Sequence, residues 1–437
     1  MSTSRVYIET YGCQMNVADT ELIAGVLGDH GFLRVEDPAE ADVMLVNTCA
    51  VRSHAEQRVV GRVGELMRHK RRGSVLGVVG CMAQRLGQSL LDEVPRLDLV
   101  VGPDGYRNLP RLILDAAEGH RAADTEFRSW EHYEDVPPVR QDGPTAFVTV
   151  QRGCDYKCTF CIVPYTRGPE RSRRLDDVIR EVAGIVERGI TEVTLLGQTV
   201  NSYHDGSHDF AALLTAVGAV EGVRRIRFTS PYPADFTGRV IEAMALVPAV
   251  CEHVHLPVQS GSNGVLRRML RRYTREEYLA VVERLRAAVP GITFSTDLIV
   301  GFPGETEAQF EETMSLVREA AFDDGYTFRY SPREATPAMK LRDQVPEVVA
   351  ADRLDRLVTL VRGQTRRKNI DRLGEVHEVL VEQPAKRGGM LGRTRTNLLV
   401  LLDLGPEARG QYHDVRLTGT TGSTFIGAIT QPALTVL

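Results

Sequence analysis

Three cysteines on one short stretch of chain carry the spacing that most clearly predicts chemistry. Cys154, Cys158 and Cys161 follow a β-prone run in the order Cys-x3-Cys-x2-Cys. Three thiolates can hold three irons of a cubic 4Fe–4S cluster, and the fourth iron is then open to a small molecule that receives an electron. A structural zinc site would usually show a fourth Cys or His nearby, which this loop does not offer. The spacing therefore favours an iron–sulfur cluster over zinc.

Three other cysteines, which we call the first set because they come first in the chain, lie in its N-terminal part. Cys13, Cys49 and Cys81 each come directly after a predicted strand, in IETYGC, LVNTC and VVGC. In an open parallel sheet, residues beyond the carboxyl ends of neighbouring strands converge. We therefore expect a second three-thiolate site with an open iron, which could hold an exogenous sulfur. The alternative is that these are ordinary buried cysteines, which is our interpretation of Cys251.

Composition restricts where such sites would operate. The chain has 437 residues, of which 43% are apolar and 25% charged, as in globular proteins of two to three domains. No signal peptide and no apolar stretch of about 20 residues is present. We therefore expect a cytosolic protein without a membrane partner, in which cysteines bind metal rather than form disulfides. The net charge of −5 means that any RNA site must be local.

The elements that must position the cysteines form three groups. Strand and helix patterns alternate over residues 5–120, which predicts a doubly wound α/β domain. Six apolar runs between Ala146 and Ser331, separated by helical patterns, predict a partial (β/α) barrel, whose site would lie at the carboxyl ends of its strands. Short β-prone pieces after a long helix predict a small β-barrel. The predicted domains are 1–125, 140–370 and 371–437, with a polar linker over 121–144.

The cysteine motifs also resemble those of a known family. The sequence reads YGCQMN at 11–16, NTCAVR at 47–52 and GCMAQ at 80–84, followed by the Cys-x3-Cys-x2-Cys loop with Phe160 before its last cysteine. This combination resembles the MiaB-type methylthiotransferases of the radical S-adenosylmethionine (SAM) superfamily. The resemblance covers nearly the whole chain. It implies an N-terminal methylthiotransferase domain, a central radical SAM barrel and a C-terminal RNA-binding TRAM domain.

The resemblance implies two 4Fe–4S clusters and SAM as cofactors. In that superfamily SAM chelates the open iron of the loop cluster, and its reductive cleavage gives a 5′-deoxyadenosyl radical. One SAM would methylate a sulfur on the cluster held by Cys13, Cys49 and Cys81, and another SAM would supply the radical. We expect SAM contacts from Phe160, Gln198, Ser230 and Gln259, although turn chemistry alone could explain the polar ones. Where many members read Gly-Gly-Glu, this chain reads Leu196-Gly197-Gln198.

The implied substrate is tRNA that carries N(6)-isopentenyladenosine 3′ of the anticodon, which would receive a methylthio group at C2. The alternatives are threonylcarbamoyl-adenosine in tRNA and an aspartate of a ribosomal protein, whose enzymes differ from this chain in the first cysteine motif. An arginine-containing loop, PREATP at 332–337, replaces the family's Arg-Pro-Gly-Thr-Pro near the substrate. An electron donor and a sulfur donor are implied as further partners, and we expect a monomer.

Local basic residues are the candidates for RNA contacts. Lys386, Arg387, Arg393 and Arg395 lie in segments that look like TRAM motifs and would meet phosphates. The alternative is a solvated loop. A second basic group after the cluster loop, made of Arg167, Arg171, Arg173 and Arg174, would meet anticodon phosphates or form salt bridges. Two rival functions remain, namely a radical SAM enzyme whose second cluster only transfers electrons and a zinc-stabilised RNA-binding module.

Overall fold

The computed structural model describes residues 4–50, 53–140 and 143–430. Val51 and Arg52, which belong to one of the cysteine motifs, lie outside these ranges. Residues 1–3 and 431–437, at the two ends of the predicted domains, also lie outside them. The described chain forms two compact units. The first comprises 4–140, 151–157 and 161–173, and the second comprises 143–150, 158–160 and 174–430. The predicted three-domain boundaries remain a prediction.

The first unit is built on a parallel sheet with intervening helices, which confirms the predicted doubly wound α/β fold. Its strands are β1 (Arg5–Tyr11), β2 (Leu33–Arg34), β3 (Val43–Thr48), β4 (Val75–Gly80), β5 (Leu99–Val101) and β6 (Ala122–Asp124), in the order β2-β1-β3-β4-β5-β6. Its helices are α1 (Gln14–Gly28), α2 (Ser53–Leu66), α3 (Cys81–Leu86), α4 (Gln88–Glu93) and α5 (Leu109–Ala117).

Alternation along β3 explains why this sheet is covered on both faces. Val43 and Leu45 pack into a core with residues of α1 and α5, whereas Met44 and Val46 pack into a second core with residues of α2 and α4. Successive side chains of a strand point to opposite faces, so a strand that is apolar throughout must be buried on both. All six residues of β3 are buried.

Two local features of the first unit differ from the sequence prediction. Helix α1 begins at Gln14 rather than near Glu21, because Asn16 caps the backbone N–H of Cys13 at 3.2 Å and so starts the helix at the strand end. The segment 121–144 is not a free linker. It contributes β6, and Tyr133 is buried, with its hydroxyl donating to the Pro103 carbonyl at 2.9 Å.

The second unit contains the six predicted barrel strands, which confirms the partial (β/α) barrel. These are β7 (Thr145–Thr149), β10 (Glu192–Leu196), β11 (Arg225–Phe228), β12 (His253–His255), β13 (Thr293–Val300) and β14 (Asp324–Arg329), paired in parallel as β11-β10-β7 and β12-β13-β14. Its helices are α7 (Leu175–Val186), α8 (Phe210–Gly218), α9 (Gly238–Leu246), α10 (Asn263–Arg268), α11 (Arg275–Ala288) and α12 (Glu307–Ala320). Strands β8 (Gln151–Arg152) and β9 (Arg171–Ser172) form an antiparallel pair in the first unit, which also contains α6 (Val163–Arg167).

The strands of this barrel have one face packed on helices and one more accessible face. On β13, Phe294, Leu298 and Val300 are fully buried, while Asp297 on the other face is half-buried. His255 stacks edge-on against Tyr326 on that same face, with ring centroids 5.7 Å apart. The accessible face therefore carries polar and aromatic groups, as a binding surface requires.

The chain ends in a small closed β-barrel, as the sequence predicts. Helix α13 (Glu347–Asp371) leads into β15 (Val376–Pro384), β16 (Met390–Thr394), β17 (Leu399–Leu402), β18 (Tyr412–Thr420) and β19 (Thr424–Ile429), which close in the order β15-β16-β17-β19-β18. The sequence prediction missed β16 as a strand. None of the described helices is both long and apolar enough to cross a bilayer.

A turn of the small barrel packs against the amino ends of the larger barrel's strands. This junction turn, residues 394–397 between β16 and β17, meets residues at the start of β11, β12 and β13. The contacts are Arg227 to the carbonyls of Thr394 (2.8 Å) and Arg395 (3.0 Å), Thr293 to the carbonyl of Thr396 (2.7 Å), and Asn397 to His253 (3.2 Å). The two barrels of the second unit are therefore joined by a polar interface.

Candidate active site

The cysteines of the first set stand at the ends of neighbouring strands. Cys13 follows β1, Cys49 follows β3 and Cys81 follows β4, and these three strands are adjacent in the sheet. Cys13 is the N-cap of α1, and Cys81 is the first residue of α3. Because parallel strands end at the same edge, the topology brings together three cysteines that lie far apart in sequence.

The thiols of this set interact directly. A hydrogen bond with Cys49 is the main reason why the pKa of Cys13 falls to about 6, and the charge of Arg167 acts in the same direction. Cys81 is buried, and burial raises its pKa, while Arg167 opposes that effect. Cys13 also acts electrostatically on Cys81. The three sulfurs therefore share one environment, as the sequence predicts.

Two glycines allow the backbone to approach this closely. A side chain on Gly12 would overlap Asn16 and come within 2.9 Å of the Cys49 Cβ. Gly80, directly before Cys81, has φ +93°, and a Cβ there would lie 2.5 Å from Asn47 Oδ1 and 2.7 Å from the Thr48 carbonyl oxygen. Only glycine fits such positions without displacing the neighbouring strand. The glycine in each motif thus has a packing reason.

A buried amide network fixes the strand ends behind the cysteines. Asn16 and Asn47 are fully buried. Asn16 Nδ2 donates to Asn47 Oδ1 at 3.2 Å and to the Thr48 carbonyl at 3.1 Å, while Asn47 Nδ2 donates to the Asn16 carbonyl at 2.8 Å and to Thr20 Oγ1 at 2.9 Å. Satisfied buried networks are rigid. The first two cysteine motifs are therefore locked to each other.

Arg167 places a buried positive charge at this site. Its side chain is 4% exposed, its Nε donates to Cys81 Sγ at 3.0 Å, and its Nη2 lies 2.6 Å from Asp19 Oδ2. The sequence analysis offered phosphate contact or salt bridging for Arg167 and Arg171. The phosphate alternative is wrong for both, because Arg171 is also buried and pairs with Asp104. Arg173 is buried and Arg174 is exposed.

The donor set fits an iron–sulfur cluster. Within the described residues, no three His, Cys, Asp or Glu side chains are grouped closely enough to hold a single metal ion. A cubic cluster takes one thiolate on each of three irons, so it does not need three ligands around a single ion. A cluster held by three thiolates is anionic, and the Arg167 guanidinium supplies the complementary charge.

The second set lies on the loop after β7 and β8. Cys154 and Cys158 are buried, and Cys161 is half-buried. The backbone N–H of Cys154 donates to the Gly168 carbonyl at 3.1 Å. In the second unit, Arg271 Nη1 donates to Cys158 Sγ at 3.4 Å. Sequence reasoning missed this contact, because Arg271 belongs to a run of four arginines that is also typical of a solvated helix face.

Aromatic rings hold Arg271 in place. Its guanidinium lies 4.3 Å from the centroid of the Tyr232 ring and 5.0 Å from that of Tyr273, and its Nη2 donates to the Pro257 carbonyl at 3.1 Å. Cation–π contacts of this kind are strong when desolvated. Each cysteine set thus includes one sulfur that accepts a hydrogen bond from an arginine.

The expected SAM contacts all lie in the second unit. Gln198, Ser230 and Gln259 follow β10, β11 and β12, and Phe160 packs edge-on against Phe302 at 6.5 Å. Ser230 and Gln259 adopt φ of +58° and +69°, which side chains other than glycine rarely do. Among the residues that the structure describes, none hydrogen-bonds to the buried Oε1 of Gln198. Backbone strain and unsatisfied polar atoms both cluster at binding sites.

The four basic residues expected to meet RNA are placed differently from one another. Lys386 and Arg387 are exposed on the turn between β15 and β16. Arg393 pairs with Glu382 at 3.2 Å. Arg395 pairs with Glu252 at 2.7 Å and also donates to the carbonyls of Pro248 (2.9 Å) and Val250 (2.8 Å). Arg395 thus serves the interface between the barrels.

Two family models match the chain over the regions that carry the cysteines. Residues 5–102 match the Uncharacterized protein family UPF0004, and residues 148–317 match the Radical SAM superfamily. The chain is 46% identical to the tRNA-2-methylthio-N(6)-dimethylallyladenosine synthase of Geobacter sulfurreducens, over 97% of each chain. It is 43% identical to the synthase of Alkalilimnicola ehrlichii, over 98% of each. The chain belongs to this family of synthases.

Membership of the synthase family gives the chain's class and part of its cofactor set. It is a radical SAM methylthiotransferase, and the radical SAM family uses SAM and a 4Fe–4S cluster. Solved structures support the fold alone. The radical SAM methyltransferase TsrM from Kitasatospora setae aligns with a TM-score of 0.59 at 15% identity, over 77% of this chain and 74% of that one. The radical enzyme OxsB aligns at 0.54 and 12%, over 82% and 56%.

Proposed function

We propose that this chain attaches a methylthio group to C2 of N(6)-isopentenyladenosine, also called dimethylallyladenosine, next to the anticodon of tRNA. It would use SAM and two 4Fe–4S clusters, one on Cys13, Cys49 and Cys81 and one on Cys154, Cys158 and Cys161. The observation that carries the proposal is the meeting of the first three cysteines beside Arg167, in a chain that matches the synthases over its full length. The relatives' names favour this substrate over the two alternatives.

The chain's own residues support a SAM pocket at the carboxyl ends of β10, β11 and β12. Gln198 Oε1 is a buried acceptor with no hydrogen bond from the described residues, and we assign it the ammonium group of SAM. It stands where related enzymes carry a carboxylate. Ser230 and Gln259 present polar side chains from left-handed backbone positions, and Phe160 lines the same region as Phe302. Cys154, Cys158 and Cys161 would hold a cluster that could supply the electron for SAM cleavage.

For tRNA we assign phosphate contacts first to Lys386 and Arg387, because both are exposed. The same role for Arg393 and Arg395 would require breaking their ion pairs with Glu382 and Glu252. Separate donors would supply electrons and sulfur to a cytosolic monomer.

The decisive experiment is anaerobic reconstitution with iron and sulfide, followed by SAM, a reductant and tRNA that contains N(6)-isopentenyladenosine. We expect mass spectrometry of the nucleosides to show the mass of a methylthio group added to that adenosine. Formation of 5′-deoxyadenosine without this gain, and gain on threonylcarbamoyl-adenosine instead, would reject the substrate but keep the enzyme class.

Single substitutions separate the two cysteine sets. Cys13→Ala should abolish methylthiolation yet retain some SAM cleavage, whereas Cys158→Ala should abolish both, because only the loop cluster delivers an electron to SAM. Cys251→Ala is the matched control, since Cys251 is a buried cysteine outside both sets. Unchanged product formation in the Cys13 variant would remove the assignment of the first set.

A further inference from the structure

Arg167 occupies a position that neither its sequence motif nor the proposed reaction explains. It is the last residue of α6, a short helix that begins two residues after Cys161, yet its Nε donates to the sulfur of Cys81 at 3.0 Å. The two residues are 86 positions apart in sequence. The segment that follows the loop cysteines therefore supplies a hydrogen-bond donor to the first cysteine set.

Arg167 belongs to a group of buried charged side chains. Asp19 is fully buried and lies 2.6 Å from Arg167 and 3.2 Å from Arg152, which is also buried, and it accepts from the Tyr106 hydroxyl at 3.3 Å. One carboxylate thus faces two guanidinium groups. Within the described residues, the buried Nη1 of Arg167 makes no hydrogen bond. A buried N–H without an acceptor is costly, so this atom is complementary to a further anion beside Cys81.

We propose that Arg167 is a positioning residue that donates a hydrogen bond to the Cys81 sulfur of the cluster-bound enzyme and raises that cluster's reduction potential. The inference rests on the proposed function, which assigns Cys81 as a cluster ligand. Reduction adds negative charge, and hydrogen bonds to cluster sulfurs together with nearby positive charge stabilise the reduced form. Asp19 holds the guanidinium in the orientation that directs its Nε to the sulfur.

A purely structural role makes a different prediction. If Arg167 only tied α6 to the sheet, its replacement would lower stability and leave the cluster potential unchanged. Arg171 offers a matched control, because it is an equally buried arginine four residues later, paired with Asp104 and donating to the Glu131 carbonyl at 3.1 Å. Its hydrogen bonds go to oxygen atoms of Asp104, Glu131 and Arg167.

The test uses the full chain with Cys154, Cys158 and Cys161 all changed to Ala, so that only the first set can bind a cluster. Iron content is measured, and the midpoint potential is followed by electron paramagnetic resonance during a redox titration. Arg167→Gln should shift the potential to more negative values, and Asp19 keeps its ion pair with Arg152 in this variant. We expect at least a tenfold loss in the equilibrium constant of reduction, about 59 mV for one electron.

Two further variants complete the design. Arg167→Lys keeps the charge but not the planar fork of the guanidinium. Its midpoint potential should therefore lie between that of the background protein and that of the Arg167→Gln variant. The matched control Arg171→Gln should leave the potential unchanged. An unaltered potential at full iron content in the Arg167→Gln protein would overturn the role of Arg167 and keep the cluster assignment. Absence of any cluster in the background protein would overturn both.

Discussion

At the scale of single residues, the SAM region shows strain where the sequence shows only polar turn residues. Ser230 is exposed with φ +58°, and Gln259 is buried with φ +69°. Non-glycine residues held in this region cost free energy that the rest of the fold must offset. Both residues directly follow barrel strands, where ligands of such barrels bind. The strain is therefore located where it can present a side chain to SAM.

Two substitutions at Ser230 separate strain from binding. Ser230→Gly and Ser230→Ala both remove the hydroxyl, so both should weaken SAM binding equally if that group contacts the cofactor. Stability should differ, because alanine at φ +58° is strained by about 1 kcal/mol relative to glycine. Thermal unfolding and SAM dissociation constants measure the two effects. An affinity loss in the alanine variant alone would mean that backbone conformation, not the hydroxyl, determines binding.

At the scale of elements, the junction turn changes the meaning of a motif. The sequence LGRTRTN at 391–397 predicts RNA contact, but the structure uses Arg395 and the backbone carbonyls of this motif to join the two barrels of the second unit. Arg225 strengthens the same interface by donating to the Arg393 carbonyl at 2.9 Å and by pairing with Glu378 at 2.8 Å. The residues of this turn therefore have a structural role that does not require a nucleic acid.

Arg395→Ala should therefore lower the stability of the protein, whereas Arg387→Ala should weaken its binding of tRNA. Loss of Arg395 leaves the Glu252 carboxylate and two carbonyls without their donor, and it should cost about 1–3 kcal/mol of stability. Arg387 is exposed, so its loss should change stability by less than about 0.5 kcal/mol. For tRNA affinity, Arg387→Ala should reduce the slope against salt by about 1, while Arg395→Ala leaves it unchanged. Denaturant unfolding and salt-dependent binding test this, and a reduced salt slope for Arg395→Ala would restore its role at phosphate.

At the scale of the whole molecule, each compact unit uses parallel strands in the same way. The cysteines of the first set follow β1, β3 and β4, and the expected SAM contacts follow β10, β11 and β12. Reactive groups thus stand at carboxyl ends, while the amino ends of β11, β12 and β13 serve stability through the junction turn. His253 lies at these amino ends, where it bonds to Asn397 and to Thr293.

This arrangement predicts a pH dependence of stability. Burial lowers the pKa of His253 to about 3, helped by Arg227, His255 and Arg393 and opposed by Asp323. An unfolded histidine, with a pKa of about 6.5, takes up a proton that the folded chain excludes. The contribution of His253 to stability should therefore be fully present above pH 6.5. It should be lost as the pH decreases towards 3, by at most about 1.4 kcal/mol per pH unit. Urea unfolding of the wild type and of His253→Gln at pH 5.5 and 7.5 checks this, and parallel pH profiles would contradict it.

The fold class and the six barrel strands were predictable from the sequence, as was the placement of Cys13, Cys49 and Cys81 at one edge of a sheet. Apolar periodicity specifies strands and helices locally, and cysteines placed directly after strands must share an edge once the strands pair in parallel. Strand β16 and the early start of α1 escaped this reasoning, because β16 is short and contains Gly392, and because the side chain that starts α1 is the local cap Asn16.

Only the tertiary structure decided which arginines reach sulfur and which hold the barrels together. Arg167 reaches Cys81 across 86 positions and Arg271 reaches Cys158 across 113, while Arg395 reaches Glu252 across 143. A long flexible side chain looks the same in sequence whether it is solvated, bound to phosphate or buried in an ion pair. Its partner is chosen by packing between elements that are distant in the chain, and no local pattern records that choice.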